Sequence, residues 1–314
     1  MSEATGNHGG GRVLSIGECM IELSVERSGL YRKGFAGDTF NTAWYLRRLL
    51  PESWSVGYLS ALGDDGESEA LSGFIAEAGI ETQWIARIPG RSPGLYMIRL
   101  DGAERSFTYW RDRSAAKELA ADHGRLERAF DAAEVLYFSG ITLAILSVED
   151  RERLLHFLAA AKAGGKVVAF DPNIRPRLWP NEGAMREAIE AGARASTICL
   201  PSLDDEMKAF GDLSADATAD RYLRLGATEV VVKNGGEPAL LVAGKERLLV
   251  KARAEAEPVD TTGAGDSFSA AYLAARLCRR EPAEAVRSAH GLAGEVVRHR
   301  GALIHDRSVL ATLC

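Results

Sequence analysis

From Val135 to the C-terminus, short apolar runs alternate with longer stretches whose apolar residues recur every three or four positions. The runs Val135–Ser139, Lys166–Phe170, Thr197–Leu200 and Glu229–Lys233 read as strands buried on both faces. Between them, Val148–Ala163, Glu182–Ala193 and Ala215–Leu225 carry the helical period. Strand and helix in alternation predict a parallel sheet wrapped by helices on both faces, with right-handed crossovers and ligands gathered at the carboxyl ends of the strands.

The first third is patterned differently. Val13–Ile16 and Val56–Leu62 read as buried strands, and Thr39–Leu50 and Ser68–Ala78 as helices. Cys19–Val25, Gly94–Leu100 and Ser106–Trp110 alternate polar and apolar residues with period two, as strands exposed on one face do. They predict a small second sheet, drawn from about 18–36 and 94–111, that is either a lid over an active site or a pair of peripheral hairpins. Residues 1–12 are polar and glycine-rich, which predicts a flexible leader ahead of one α/β domain over 13–314. The chain has no repeat and nothing near the ~18 consecutive apolar residues of a membrane span.

At 314 residues, 46% hydrophobic and 26% charged, the chain can bury a large core. Its net charge of -6 argues against general binding to nucleic acid or a membrane surface, so an anionic ligand must be met by local cations. Cys19, Cys199, Cys278 and Cys314 have neither metal-ligand nor paired spacing, which suits free thiols in the cytoplasm.

The densest chemistry lies in Asp260-Thr261-Thr262-Gly263-Ala264-Gly265-Asp266-Ser267-Phe268. Phe268, Ala271, Tyr272, Ala275 and Cys278 recur at helical spacing behind it, so the glycines fall at a helix N-terminus. Free N–H groups and the positive helix end make a cradle for phosphate oxygens, and bare Gly263 and Gly265 permit close approach. Asp266 in an anion site is suited to taking a proton from an attacking hydroxyl. An ordinary strand-turn-helix with Asp266 as a dipole partner is the plain alternative. The dinucleotide fingerprint fails at Phe268, and no Walker lysine motif occurs.

Four further clusters are candidates to complete a site. In Gly37-Asp38-Thr39-Phe40-Asn41, Asp38 and Asn41 offer hydrogen bonds to a polyol, or Asp38 is simply a helix cap. Tyr109-Trp110-Arg111 ends a lid strand, and Arg111 suits a carboxylate unless it belongs to a surface salt-bridge cluster. Tyr96 on the neighbouring strand faces the same ligand or the core. Arg175, in Asp171-Pro172-Asn173-Ile174-Arg175, follows a buried strand, as do Lys233, Gly235 and Gly236, where nucleotide phosphates and a plain hairpin explain the residues equally well.

Asp260 to Phe268 fits the D-T-x-G-A-G-D-x-F signature at every fixed position, and the chain resembles the ribokinase-like, or PfkB, sugar kinases over nearly its whole length. Gly17 to Leu23, Gly37 to Thr42, Tyr109 to Arg111 with Ala115 to Lys117, Ser139 to Ala144 and Arg175 to Trp179 look most like the 2-keto-3-deoxygluconate kinases within it. The resemblance implies a three-layer α/β/α sandwich with a mostly parallel sheet and a β-sheet lid. It also implies transfer of the ATP γ-phosphoryl group, with Mg²⁺, to the terminal hydroxyl of 2-keto-3-deoxygluconate. In that scheme Asp266 is the base, with Gly263, Ala264 and Gly265 as anion hole. Gly37, Asp38, Asn41, Tyr96, Tyr109, Arg111 and Arg175 hold the sugar acid, and Lys233, Gly235 and Gly236 lie along the nucleotide. Where the family often carries Asn-x-x-Glu, this chain has Ser202 and Asp205, so Asp205 is the candidate metal contact, acting through water. Kinases of fructose, ribose or the galacto epimer, and a non-catalytic sugar-binding module, are the alternatives. Apolar faces and free edges on the lid strands predict a homo-oligomer through the lid.

Overall fold

A computed structural model describes residues 10–306 and 309, apart from 28, 102–103 and 253–257. In chain order the strands are β1 (Gly11–Ile16), β2 (Met20–Arg27), β3 (Leu30–Ala36), β4 (Trp54–Leu62), β5 (Ile85–Arg87), β6 (Leu95–Asp101) and β7 (Glu104–Trp110). They continue with β8 (Val135–Ser139), β9 (Val167–Asp171), β10 (Ile198–Cys199), β11 (Glu229–Val232), β12 (Ala239–Ala243) and β13 (Glu246–Val250). The helices are α1 (Asp38–Leu49), α2 (Gly66–Glu77), α3 (His123–Asp131), α4 (Gly140–Ile145) and α5 (Val148–Ala163), then α6 (Glu182–Arg194), α7 (Leu203–Phe210), α8 (Ala215–Arg224), α9 (Ala264–Leu277) and α10 (Pro282–Val296).

The main sheet runs β13-β12-β11-β10-β9-β8-β1-β4-β5. Pairs from β11 through β5 are parallel, and β11–β12 and β12–β13 are antiparallel. Successive side chains on a strand face opposite ways, so each central strand feeds two cores. Val135 and Tyr137 of β8 join one with α1, α2, α9 and α10; Leu136 and Phe138 join the other with α3 to α8. This is the expected sandwich, with helices on both sides of a mostly parallel sheet. Among the described residues no helix is long and apolar enough to cross a membrane.

β3-β2-β6-β7 form the separate small sheet. Its strands leave the main sheet after β1 and after β5, which carries it to the carboxyl end of β1. The chain reverses direction across the main sheet between β1 and β8, and a crevice opens where such a reversal occurs.

The boundary expected at residue 13 shifts. β1 starts at Gly11, because Gly11 and Arg12 pair with Trp54 and Ser55 of β4 and Arg12 donates to Glu81 at 2.8 Å. Residues 1–9 lie outside the described residues. α7 carries Asp204, Asp205 and Glu206 in its first turn, a charge run that hides its apolar stripe from a periodicity reading.

Candidate active site

A cleft of about 1140 Å³ opens at the carboxyl ends of β1, β8, β9 and β11, beneath the small sheet. That exceeds the usual ~300–1,000 Å³ of a single small-ligand pocket and leaves room for two reactants.

The loop before α9 forms its floor, and its shape follows from three residues. Asp260, 5% exposed, accepts from the Thr262 amide at 2.9 Å, the Thr262 hydroxyl at 2.7 Å and the Gly301 amide at 2.7 Å. Gly263 caps α9 with φ of 75°, where a Cβ would also meet Ala302 at 2.9 Å. Glycine satisfies both demands. Gly265 is exposed, and a Cβ there would meet only the Lys233 ammonium, at 3.6 Å. A bare backbone at a helix N-terminus with a cation beside it is a site for an anion.

Asp266, in the first turn of α9, turns its carboxylate toward α1. Asn41 Nδ2 donates to Oδ2 at 2.7 Å, and the Thr42 hydroxyl donates to the Asp266 carbonyl at 3.2 Å. Burial pushes the carboxyl up to about 7, and the charges of Asp38 and Asp171 add to this; the Asn41 hydrogen bond and Lys233 oppose it. A carboxylate that exchanges its proton near neutrality, at the edge of an anion cradle, has the properties of a general base.

The cleft walls bring together Gly37, Asp38, Asn41, Tyr96, Tyr109, Arg111, Arg175, Asp205 and Lys233 with Gly263, Gly265 and Asp266. Several are engaged differently from the sequence expectation. Asp38 does not cap α1: Gly37 is the N-cap, without a side-chain bond, and Asp38 instead accepts from Asn173 Nδ2 at 2.9 Å. A Cβ at Gly37 would collide with the Glu18 carbonyl oxygen, so close backbone packing demands glycine there. Asn41 is already committed to Asp266. Tyr96 is buried and donates to Glu22, with its ring 5.8 Å from that of the half-exposed Tyr109.

Arg111 is not a free cation. Its guanidinium pairs with Glu18, with the two side chains only 10% and 1% exposed. Arg111 Nε and Glu18 Oε1 are both buried without a hydrogen-bond partner among the described residues. Arg175 is half exposed and meets Asp205 at 3.6 Å, a contact too long and too wet to hold it. Ala264 opens α9 and is not part of the lining. Gly235 and Gly236 also lie outside the lining, in the exposed turn from β11 to the antiparallel β12, with Gly235 at φ of 56°.

The sequence reading named Glu18 and Asp171 only within longer segments and gave neither a role of its own. Glu18 directly follows β1 and Asp171 ends β9, so both stood where the parallel-sheet rule puts ligand contacts. Among the described residues no three His, Cys, Asp or Glu side chains cluster as a metal site. A metal in this cleft would take most of its ligands from phosphate and water, as Mg²⁺ carried by a nucleotide does. Asp205, whose carboxyl is raised by burial, lines the cleft where such a hydrated ion would pass.

The profile of the pfkB family of carbohydrate kinases matches residues 11–307. The chain belongs to that family. It is 40% identical over 297 residues to the 2-dehydro-3-deoxygluconokinase of Dickeya dadantii, covering 92% of this chain and 95% of the relative. It is 38% identical over 301 residues to the Escherichia coli K12 protein of the same name, covering 93% and 97%. Among solved structures, a 2-dehydro-3-deoxygluconokinase from Thermotoga maritima superposes with a TM-score of 0.85 at 21% identity, covering 98% of both chains. At that identity the likeness speaks to the fold.

Proposed function

We propose that this chain is an ATP-dependent sugar-acid kinase that phosphorylates the terminal hydroxyl of 2-keto-3-deoxygluconate to give 2-keto-3-deoxy-6-phosphogluconate. The observation that carries the reading is Asp266, partly buried beside the Gly263–Gly265 cradle in a cleft whose walls hold three arginines, Arg111, Arg175 and Arg177. The near-full-length relatives that share one sugar-acid kinase name support the choice of acceptor.

In the proposed mechanism the sugar acid lies under the small sheet, which acts as a lid, with its carboxylate toward Arg111 and Arg175. Tyr96 and Tyr109 pack on it, while Gly37 and Asp38 line its hydroxyl side. Asn41 aims the Asp266 carboxylate at the terminal hydroxyl, which loses its proton as the phosphoryl group arrives. N–H groups of Ala264, Gly265 and Asp266 meet the charge on the transferring phosphoryl oxygens, which is where most of the rate enhancement in such reactions arises. Lys233 meets the nucleotide phosphates, and the turn at Gly235 and Gly236 continues the nucleotide's path. When bound, Mg²⁺ supplies charge neutralisation on those phosphates, with Asp205 as its water-mediated contact.

The Glu18–Arg111 pair favours a second reading, a neutral sugar, because a neutralised guanidinium attracts a carboxylate less. A coupled ADP-release assay over keto-deoxy sugar acids, fructose and ribose separates the two. Release with the acids alone supports the first reading, and release with neutral sugars alone overturns it.

The two outer strands of the lid expose Leu30, at 67% on β3, and Trp110, at 53% on β7, and we assign the lid to a homodimer contact, to be checked by light scattering. An ATP donor and the buried free thiols of Cys19 and Cys199 suit the cytoplasm.

A further inference from the structure

Asp171 is 2% exposed at the end of β9, and both its oxygens are occupied. Oδ2 accepts the Lys233 ammonium at 2.6 Å and the Ser269 hydroxyl at 2.9 Å, while Oδ1 accepts the Asn173 amide at 3.2 Å. Lys233 sits two strands away, just past β11, so the ion pair reaches over the end of β10. The backbone of Lys233 is held on both sides. Its N–H donates to Pro201 and its carbonyl accepts from Leu203, each at 2.8 Å, which leaves only the side chain free to be aimed. Ser269 lies one turn beyond Asp266 on α9. One carboxylate therefore ties β9, β11 and the helix that carries both the anion cradle and the base.

Burying an ion pair is costly, and the exchange for apolar residues is often neutral or stabilising, so this pair is poorly explained by stability alone. Its placement points elsewhere. The ammonium lies 3.6 Å from where a Gly265 Cβ would stand, at the glycine-rich start of the helix that also carries Asp266. The chain lacks a Walker lysine, and a strand-end lysine held beside a glycine cradle fills that role.

We infer that Asp171 is a positioning residue for phosphoryl transfer: it holds the Lys233 ammonium against the Gly263–Gly265 cradle and balances the charge that reaches Asp266. This rests on the kinase reading of the site, though only on its nucleotide half, and it holds whichever sugar is the acceptor. The groups around Asp266 come from every neighbouring element. Asp38, Asn41 and Tyr45 face it from α1, Tyr137 from β8, Asp171 from β9 and Lys233 from beyond β11, while Arg175 and Asp205 line the same cleft farther along the wall. Asp171 and Lys233 act on the Asp266 proton in opposite senses, so removing either one unbalances it in a distinct direction.

The test uses Asp171→Asn, Lys233→Met, Lys233→Arg and the double variant Asp171→Asn/Lys233→Met. ATP affinity is read by calorimetry, and the pH profile of kcat/KM is read with the best acceptor from the panel. Lys233→Met is expected to weaken ATP binding by roughly ten- to a hundred-fold, the worth of a charged hydrogen bond, and to move the acid limb of the profile to higher pH. Asp171→Asn moves that limb to lower pH and lowers kcat by about ten-fold or more, while the sugar KM changes little. The double variant returns the limb toward the wild-type position, and Lys233→Arg recovers most of the ATP affinity. If Asp171→Asn does not fold, the two Lys233 variants still decide. Unchanged ATP affinity in Lys233→Met, or limbs that shift in the same direction in both single variants, overturns the inference. A wild-type protein that binds no ATP overturns the kinase reading instead, and is seen before any variant is made.

Discussion

Replacing Asp266 by asparagine keeps the shape of the side chain and its contact with Asn41 while removing the charge. The ordinary carboxylate value is ~3.9, and in the folded protein burial and the neighbouring carboxylates raise it to about 7. Below pH ~4 the carboxyl is protonated in both the folded and unfolded states, so it contributes no pH dependence. Between the two values the unfolded chain releases the proton while the folded one keeps it, and stability falls as pH rises until the folded group also ionises near 7. At ~1.36 kcal/mol per pH unit, the cost reaches about 1.5 kcal/mol at pH 5 and about 4 kcal/mol at pH 8. Asp266 keeps an edge open to the cleft, and screening there brings the expected gap between the two pH values to roughly 1–2 kcal/mol. Urea unfolding of wild type and Asp266→Asn at pH 5 and pH 8 measures it directly. The variant should gain stability relative to wild type at pH 8 and much less at pH 5, while kcat falls by roughly 10²-fold or more, the general-base effect. An equal stability difference at both pH values, or near wild-type turnover, refutes the assignment.

Gly263→Ala puts a Cβ on a left-handed residue 2.9 Å from Ala302 and should cost about 1–3 kcal/mol in denaturant midpoint, with a larger fall in kcat than in sugar affinity. Arg111→Ala removes a cation from a sugar acid and should raise its KM by one to two decades, the worth of about 1.5–3 kcal/mol, while the KM of any neutral sugar moves far less. The same change strands Glu18, which is 2% exposed, so thermal melts should drop as well. Arg221→Ala strands Glu206, which is fully buried and accepts from Arg221 at 2.6 Å and Tyr222 at 2.8 Å. It should destabilise by about 3–5 kcal/mol and leave KM for both substrates within about two-fold.

The sandwich was legible in the sequence because its central strands are buried on both faces and its helices on one, so hydrophobic period alone separates them. Val135–Ser139 was recognised to the residue, and β9 within one, since nothing polar interrupts either run. The small sheet was legible for the opposite reason: a sheet wet on one side alternates. The β11–β12 hairpin was harder to see, because a turn at Gly235 and Gly236 carries the same residues as a phosphate loop and only strand direction tells them apart. For the site, types and spacing pointed to Asp266 and its glycines, since that chemistry is packed into one short segment. Pairing between distant segments was not legible. Asn41 meets Asp266 across 225 positions and Arg111 meets Glu18 across 93, and single-sequence patterns carry no signal for such contacts. The result is that several side chains expected to wait for ligand are engaged with one another, and the acceptor has to bind through the network they form.

The central claim is that Asp266 deprotonates the terminal hydroxyl of a keto-deoxy sugar acid. The most direct measurement is phosphorus and carbon NMR of the product formed from ATP, Mg²⁺ and 2-keto-3-deoxygluconate. One phosphomonoester is expected, coupled to the terminal carbon and absent with Asp266→Asn. Phosphate on another carbon, or no ester from this acid under conditions in which fructose or ribose is phosphorylated, would contradict it.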